Sequence, residues 1–148
     1  MKLLIIDDDS SILKANELYL TSKGYTITTA TTGALGLALF RDELPDLVIL
    51  DIKLPDISGY ELCRQIKCLA PVPIILLSSL GEEEDKLSGF YSGADDYVVK
   101  PFSLAELECR IAARLRGYSK PSMASGRFGD ILLQDGAFVG LTGENLTI

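Results

Sequence analysis

Histidine is absent from this 148-residue chain. Its absence excludes a Ser-His-Asp triad, a histidine-bearing zinc site and an internal phosphohistidine. Any phosphohistidine chemistry has to come from a partner. Cysteine is scarce: Cys63, Cys68 and Cys109 are odd in number and none are spaced C-x-x-C, which argues against a disulfide framework or a metal knuckle. Reduced, mostly packed thiols are the expectation. Long apolar runs are missing as well. After Met1 and Lys2 only residues 3–6 are apolar before three aspartates, too short and too quickly acidic for a signal peptide or membrane span. The expected location is the cytosol, without a membrane partner. Positive charge is the fourth shortage. The net charge of −7 arises before residue 116, where 18 acidic residues face 11 basic ones; from there on the count is three against three. The basic footprint of a nucleic-acid binder is therefore lacking. Nor is there an internal repeat or a low-complexity tract, which removes solenoid and collagen-like readings.

What is present is an ordinary globular composition, 47% hydrophobic against 24% charged, with room for one well-buried domain and a short appendage. Four short apolar runs, at residues 3–6, 47–50, 74–77 and 97–99, read as strands buried on both faces, as in parallel sheets. Residues 25–30 alternate and suit an edge strand. Helical spacing appears in Leu62, Cys63, Ile66 and Leu69, and again in Leu87, Phe90, Tyr91 and Ala94. The last helix opens on a capping box, Ser103 to Glu106, and continues through Leu107, Ile111 and Leu115. Five alternations of strand and helix predict an α/β fold, a doubly wound parallel sheet with right-handed crossovers, flavodoxin-like with order 2-1-3-4-5.

The chemistry lies where polar residues follow apolar runs. Asp7 and Asp8 follow the first strand, Asp51 the third, Ser78 the fourth and Lys100 the fifth. Singly, each has an ordinary reading as a turn former, helix cap or solvated charge. Together they mark the carboxyl ends of four predicted strands, where open parallel sheets bind ligands. Three carboxylates in one crevice repel one another unless a cation sits among them. Oxygen ligands from Asp8, Asp51 and a backbone carbonyl of the following loop suit Mg2+, with Asp7 acting through water. Such an ion, with the Lys100 ammonium, would neutralise a phosphoryl group passing to an Asp51 carboxylate oxygen. The Ser78 hydroxyl could then hydrogen-bond a phosphoryl oxygen and report on the modification. Tyr97 has two readings at this point, packing or function. A flavin-binding relative of the fold is disfavoured, since Asp7, Asp8 and Asp9 would repel a flavin phosphate. A carboxylate-nucleophile phosphatase is disfavoured because the acidic pair and the nucleophile lie on different strands and no substrate-cap insertion is visible.

The segments KLLIIDDD, DLVILDIKLPDISGYEL, PIILLSS and GADDYVVKPFS resemble the CheY-like receiver domains of two-component response regulators over residues 1–117. The resemblance implies Asp51 as the acceptor of a phosphoryl group from a sensor histidine kinase. It implies Asp7, Asp8 and Asp51 as the acidic triad, the Lys53 carbonyl as a further Mg2+ ligand, and Ser78, Tyr97 and Lys100 as switch and phosphoryl-binding residues. The receiver would catalyse its own phosphorylation and dephosphorylation without being an enzyme in the usual sense. It also implies a cis Lys100–Pro101 bond. GEEEDKLSGFYSGADDY and ELECRIAARLR look like the OmpR/PhoB subfamily, whose receivers form homodimers through the fourth helix, fifth strand and fifth helix. Matching residues pair Lys86 with Glu106 and Asp96 with Arg110, around an apolar patch of Leu87, Phe90 and Cys109. The competing reading is ordinary surface pairs worth ~0.3 to 0.5 kcal/mol each.

Residues 116–126, RGYSKPSMASG, are rich in Gly, Ser and Pro and read as a linker, bounded here at 118–126. RFGDILLQDGAFVGLTGENLTI, residues 127–148, resembles the opening strands of that subfamily's winged-helix domain. The segment stops before any recognition helix and is too short to bury its own core. It is expected to dock weakly or move freely. DNA binding would need a complete effector domain, through which the full-length protein would control transcription. A second reading is a truncated receiver that pairs with intact partners and sequesters them.

Overall fold

Apolar runs with no polar interruption form the middle of a sheet in the computed structural model, which describes residues 1–79 and 92–116. The strands are β1 (Lys2–Ile6), β2 (Thr26–Ala30), β3 (Leu47–Asp51), β4 (Ile74–Ser78) and β5 (Asp96–Val99). All pairings are parallel and the order is β2-β1-β3-β4-β5, as expected. Every residue of β3 and β4 is buried, whereas the alternating β2 lies at an edge with only Ala30 buried. The helices are α1 (Ser10–Ser22), α2 (Gly33–Glu43), α3 (Gly59–Leu69) and α4 (Leu104–Arg116), the last being the fifth helix expected from sequence. The predicted fourth helix, with Leu87, Phe90 and Tyr91, lies outside the described residues, as do the 118–126 linker and the 127–148 segment.

Alternation along each strand divides the interior into two cores. Leu3, Ile5, Leu47, Ile49, Leu77 and Val98 pack with Leu13 and Leu20 of α1 and with Leu107, Ile111 and Leu115 of α4. Leu4, Ile6, Val48, Leu50, Ile74 and Leu76 pack with Phe40 of α2 and with Leu62, Cys63 and Ile66 of α3. Side-chain oxygens cap all four described helices at the end where the strands deliver the chain: Asp9, Thr32 and Ser58 cap α1, α2 and α3, and Ser103 Oγ accepts from Glu106 N at 2.9 Å. The crevice therefore has helix N-termini around its rim, whose partial positive charge favours anions.

The structure corrects three local expectations. Leu69 is 48% exposed, because it is the last residue of α3 and the buried stripe ends with Ile66. The capping box at Ser103 is met on one side only, since Glu106 Oε2 accepts from Arg110 Nε and Nη2. Of the thiols, only Cys63 is buried; Cys68 and Cys109 point off the apolar stripes into solvent, and no disulfide links them. Burial pushes the Cys63 thiol pKa up.

Candidate phosphoryl-acceptor site

Asp7 follows β1 immediately, tied to β2 by its backbone N–H donating to the Ala30 carbonyl at 3.0 Å, and its side chain is fully buried. Its two oxygens are already engaged: Oδ1 accepts from Asp9 N at 3.0 Å and Oδ2 from Lys100 Nζ at 3.2 Å. Asp51 closes β3 and is 6% exposed. Its Oδ2 accepts from Lys100 Nζ at 3.2 Å and its Oδ1 from Lys53 N at 3.3 Å. Asp8, next to Asp7, is exposed, and carboxylate oxygens of Asp7, Asp8 and Asp51 all lie within 4.8 Å of one another. Lys100 reaches them from the end of β5, where the Lys100–Pro101 bond is cis and Lys100 N donates to the Ser78 carbonyl at 2.6 Å.

Strand periodicity accounts for this convergence. Asp7, Asp51 and Lys100 continue the alternation of Ile5, Ile49 and Val98, so all three belong to the face covered by α1 and α4. Ser78 and Tyr97 continue the opposite face, with Leu76. Ser78 is buried at the end of β4, and Tyr97 is half-buried against the core formed with α2 and α3. The packing reading of Tyr97 thus describes where its ring lies.

Three carboxylates against one ammonium leave the crevice net negative. Burial raises the Asp7 pKa, the Asp9 N–H opposes that, and the neighbouring Asp51 charge adds to the rise. Burial pulls Lys100 down, but attraction to Asp7 and then Asp51 outweighs it, and the ammonium pKa lies above its ordinary value. The three aspartates could hold a metal ion. The donor set is oxygen only, which fits a hard divalent cation, and Asp8 is exposed to solvent.

The residues expected at a dimer face divide differently. Lys86, Leu87 and Phe90 lie outside the described residues. Asp96, Glu106 and Arg110 form a network within one chain: Arg110 Nη1 meets Asp96 Oδ1 at 2.9 Å and Arg110 Nη2 meets Glu106 Oε2 at 3.2 Å, with Arg114 Nε 3.8 Å from Asp96 Oδ2. They line a shallow cavity of about 410 Å³ together with exposed Cys109.

Three residues escaped the sequence reading. Asn16 is 1% exposed between Leu13 and Leu20, and its Nδ2 has no partner among the described residues, at a cost of about 1 to 3 kcal/mol. Asp56 accepts backbone hydrogen bonds from Gly33 and Ala34, more than twenty positions away in the chain. Gly59 starts α3 directly behind Asp51, with no room for a side chain. Of these, only the Ser58-Gly59 pair before an apolar stripe carried a local signal, that of a helix start.

The model of the response regulator receiver domain matches residues 3–112. Among similar curated proteins, "Probable transcriptional regulator ycf27" of Guillardia theta is 49% identical over 124 residues, covering 84% of this chain and 49% of the relative. "Transcriptional regulatory protein AfsQ1" of Streptomyces coelicolor is 44% identical over 147 residues, covering 99% and 65%. The chain thus spans about half to two thirds of the length of these relatives. Among solved structures, the response regulator DrrB of Thermotoga maritima, described as an OmpR/PhoB homolog, has a TM-score of 0.73 at 42% identity, covering 80% of this chain and 54% of that one. A CheY-like receiver domain protein of Methanospirillum hungatei has a TM-score of 0.76 at 33% identity, covering 78% and 94%. Among the described residues no helix is long and apolar enough to cross a membrane. The chain belongs to the response regulator receiver domain family; similar proteins include ones named as transcriptional regulators and one described as an OmpR/PhoB homolog.

Proposed function

We propose that Asp51 is the phosphoacceptor of a Mg2+-dependent receiver that takes its phosphoryl group from a sensor histidine kinase. The observation that carries this reading is Lys100 Nζ lying 3.2 Å from both Asp7 and Asp51, beside an Asp8 carboxylate that opens to solvent. An Asp51 oxygen attacks phosphorus, an acyl phosphate bond forms, and the bond from phosphorus to the donor imidazole nitrogen breaks. Lys100 neutralises a phosphoryl oxygen during transfer, the Ser78 hydroxyl donates to another, and Asp7 holds Lys100 in place. Asp8, Asp51 and the Lys53 carbonyl would hold Mg2+, which when bound supplies charge neutralisation for the in-line transfer.

Because the chain itself brings these groups together, it promotes both gain and loss of its own phosphoryl group. Ser78 turns over the end of β4 to reach the phosphoryl oxygen, and that movement, followed by Tyr97, carries the modification to the Asp96, Glu106, Cys109 and Arg110 surface. There a second copy docks, together with Lys86, Leu87 and Phe90. In the full-length protein this dimerisation controls transcription through a complete DNA-binding domain after the 118–126 linker. Incubation with acetyl phosphate and Mg2+ followed by intact-mass analysis tests the assignment. One phosphoryl adduct is expected on the wild type and none on Asp51→Asn; an adduct of equal yield on the variant refutes it.

A further inference from the structure

The loop carrying Lys53 is anchored at both ends of its span. At its base, Lys53 and Ser58 form an antiparallel bridge, and Gly59 N donates to the Ile52 carbonyl at 2.7 Å. At its tip, Asp56 Oδ1 accepts from Gly33 N at 2.8 Å and Oδ2 from Ala34 N at 2.9 Å, at the first turn of α2. Ile57 sits over Gly33 so closely that a Cβ there would strike its Cγ2. The helix that receives these contacts is itself fixed. Gly36 lies against Ile6 of β1, with an added Cβ meeting Ile6 Cδ1, and Ile6 immediately precedes Asp7 and Asp8.

We infer that Asp56 is a positioning residue for the cation site: it ties the loop bearing the Lys53 carbonyl to the N-terminus of α2. That helix is registered on the strand that delivers Asp7 and Asp8. A closed circuit results, running from Asp8 through Ile6, α2, Asp56 and the loop back to Lys53 and Asp51, so that oxygens from two strands keep a fixed separation. The inference rests on the metal site proposed above and deepens it. Asp56 is exposed and its carboxylate is engaged by the Gly33 and Ala34 N–H groups, so it acts through the backbone of its loop.

Thr32 supplies the control, because its Oγ1 caps the same helix through Leu35 N at 3.1 Å, whereas the hydrogen bonds to the loop go to Asp56. Mg2+ titrations by calorimetry on the full chain would compare wild type, Asp56→Ala, Asp56→Asn and Thr32→Ala. Both alanine variants should melt earlier. Only Asp56→Ala should weaken Mg2+, by about tenfold, in the range seen when partners behind metal ligands are removed. Its phosphoryl uptake from acetyl phosphate should recover at saturating Mg2+. Asp56→Asn, which keeps an acceptor oxygen, should fall between it and the wild type, and serves alone if the alanine variant does not fold. Mg2+ affinity in the Asp56 variants equal to that of Thr32→Ala overturns the inference while leaving the proposed function standing. Absence of Mg2+ binding in the wild type overturns both.

Discussion

Lys100→Met should take up phosphoryl groups from acetyl phosphate more slowly by about 10²-fold or more, yet bind Mg2+ more tightly than the wild type. The two effects have opposite signs because the ammonium plays opposite parts. Toward a transferring phosphoryl group it is a preorganised positive charge in a partly enclosed site, and removal of one such donor typically costs about 10²- to 10³-fold in rate. Toward a divalent cation it is a competitor, lying 3.2 Å from both Asp7 and Asp51 and occupying lone pairs that the ion would otherwise polarise. Methionine keeps much of the side-chain length and none of the charge. Calorimetric titration with Mg2+ and timed intact-mass analysis separate the two effects. Loss of Mg2+ binding in Lys100→Met would mean that the lysine organises the carboxylates rather than opposing the ion.

Gly59→Ala should destabilise the domain by about 3 kcal/mol, at the upper end of overpacking costs. A loss of that size lowers the melting midpoint by on the order of 10 °C or more. The reason is local and steric: a Cβ at Gly59 would strike the Asp51 carbonyl oxygen and stand 2.6 Å from Ile52 Cα, and neither is the flexible end of a side chain. Relief requires α3 to retreat from the end of β3, which drags the Asp51 backbone and the Lys53 loop with it. Phosphoryl uptake should therefore fall at temperatures where the variant is still folded. Gly24→Ala gives the contrast, since Gly24 has φ +98° and open space around its Cα. It should cost about 1 to 2 kcal/mol through backbone strain alone and leave uptake unchanged. Circular dichroism melts and intact-mass analysis of both variants decide the matter.

The acids and the lysine were legible because strand chemistry writes them plainly. A run such as LVIL ending in Asp51, or YVV ending in Lys100, needs no partner information to say that a charged group stands at a strand end. Parallel topology then brings such ends to one edge. Asp56 was illegible for the converse reason: its partners Gly33 and Ala34 belong to another crossover, and no periodicity connects them. Asn16 occupies a position that helical spacing assigns to the core, beside Leu13 and Leu20, and a polar residue there breaks the pattern from which burial is inferred. Arg110 shows a third limit. Its pairing with Asp96 follows from the sequence resemblance, whereas their contact within one chain depends on how α4 packs beside β5, which no local pattern records.

Phosphoryl transfer to Asp51 requires Asp8, Asp51 and the Lys53 carbonyl to share one divalent cation beside Lys100. A crystal structure of the protein with Mg2+ and beryllofluoride, a mimic of the bound phosphoryl group, tests that most directly. The expected result is a single ion bonded to those three oxygens, beryllofluoride on Asp51, and Lys100 Nζ hydrogen-bonded to a fluorine. An ion held elsewhere, or beryllofluoride bound to any residue other than Asp51, would contradict it.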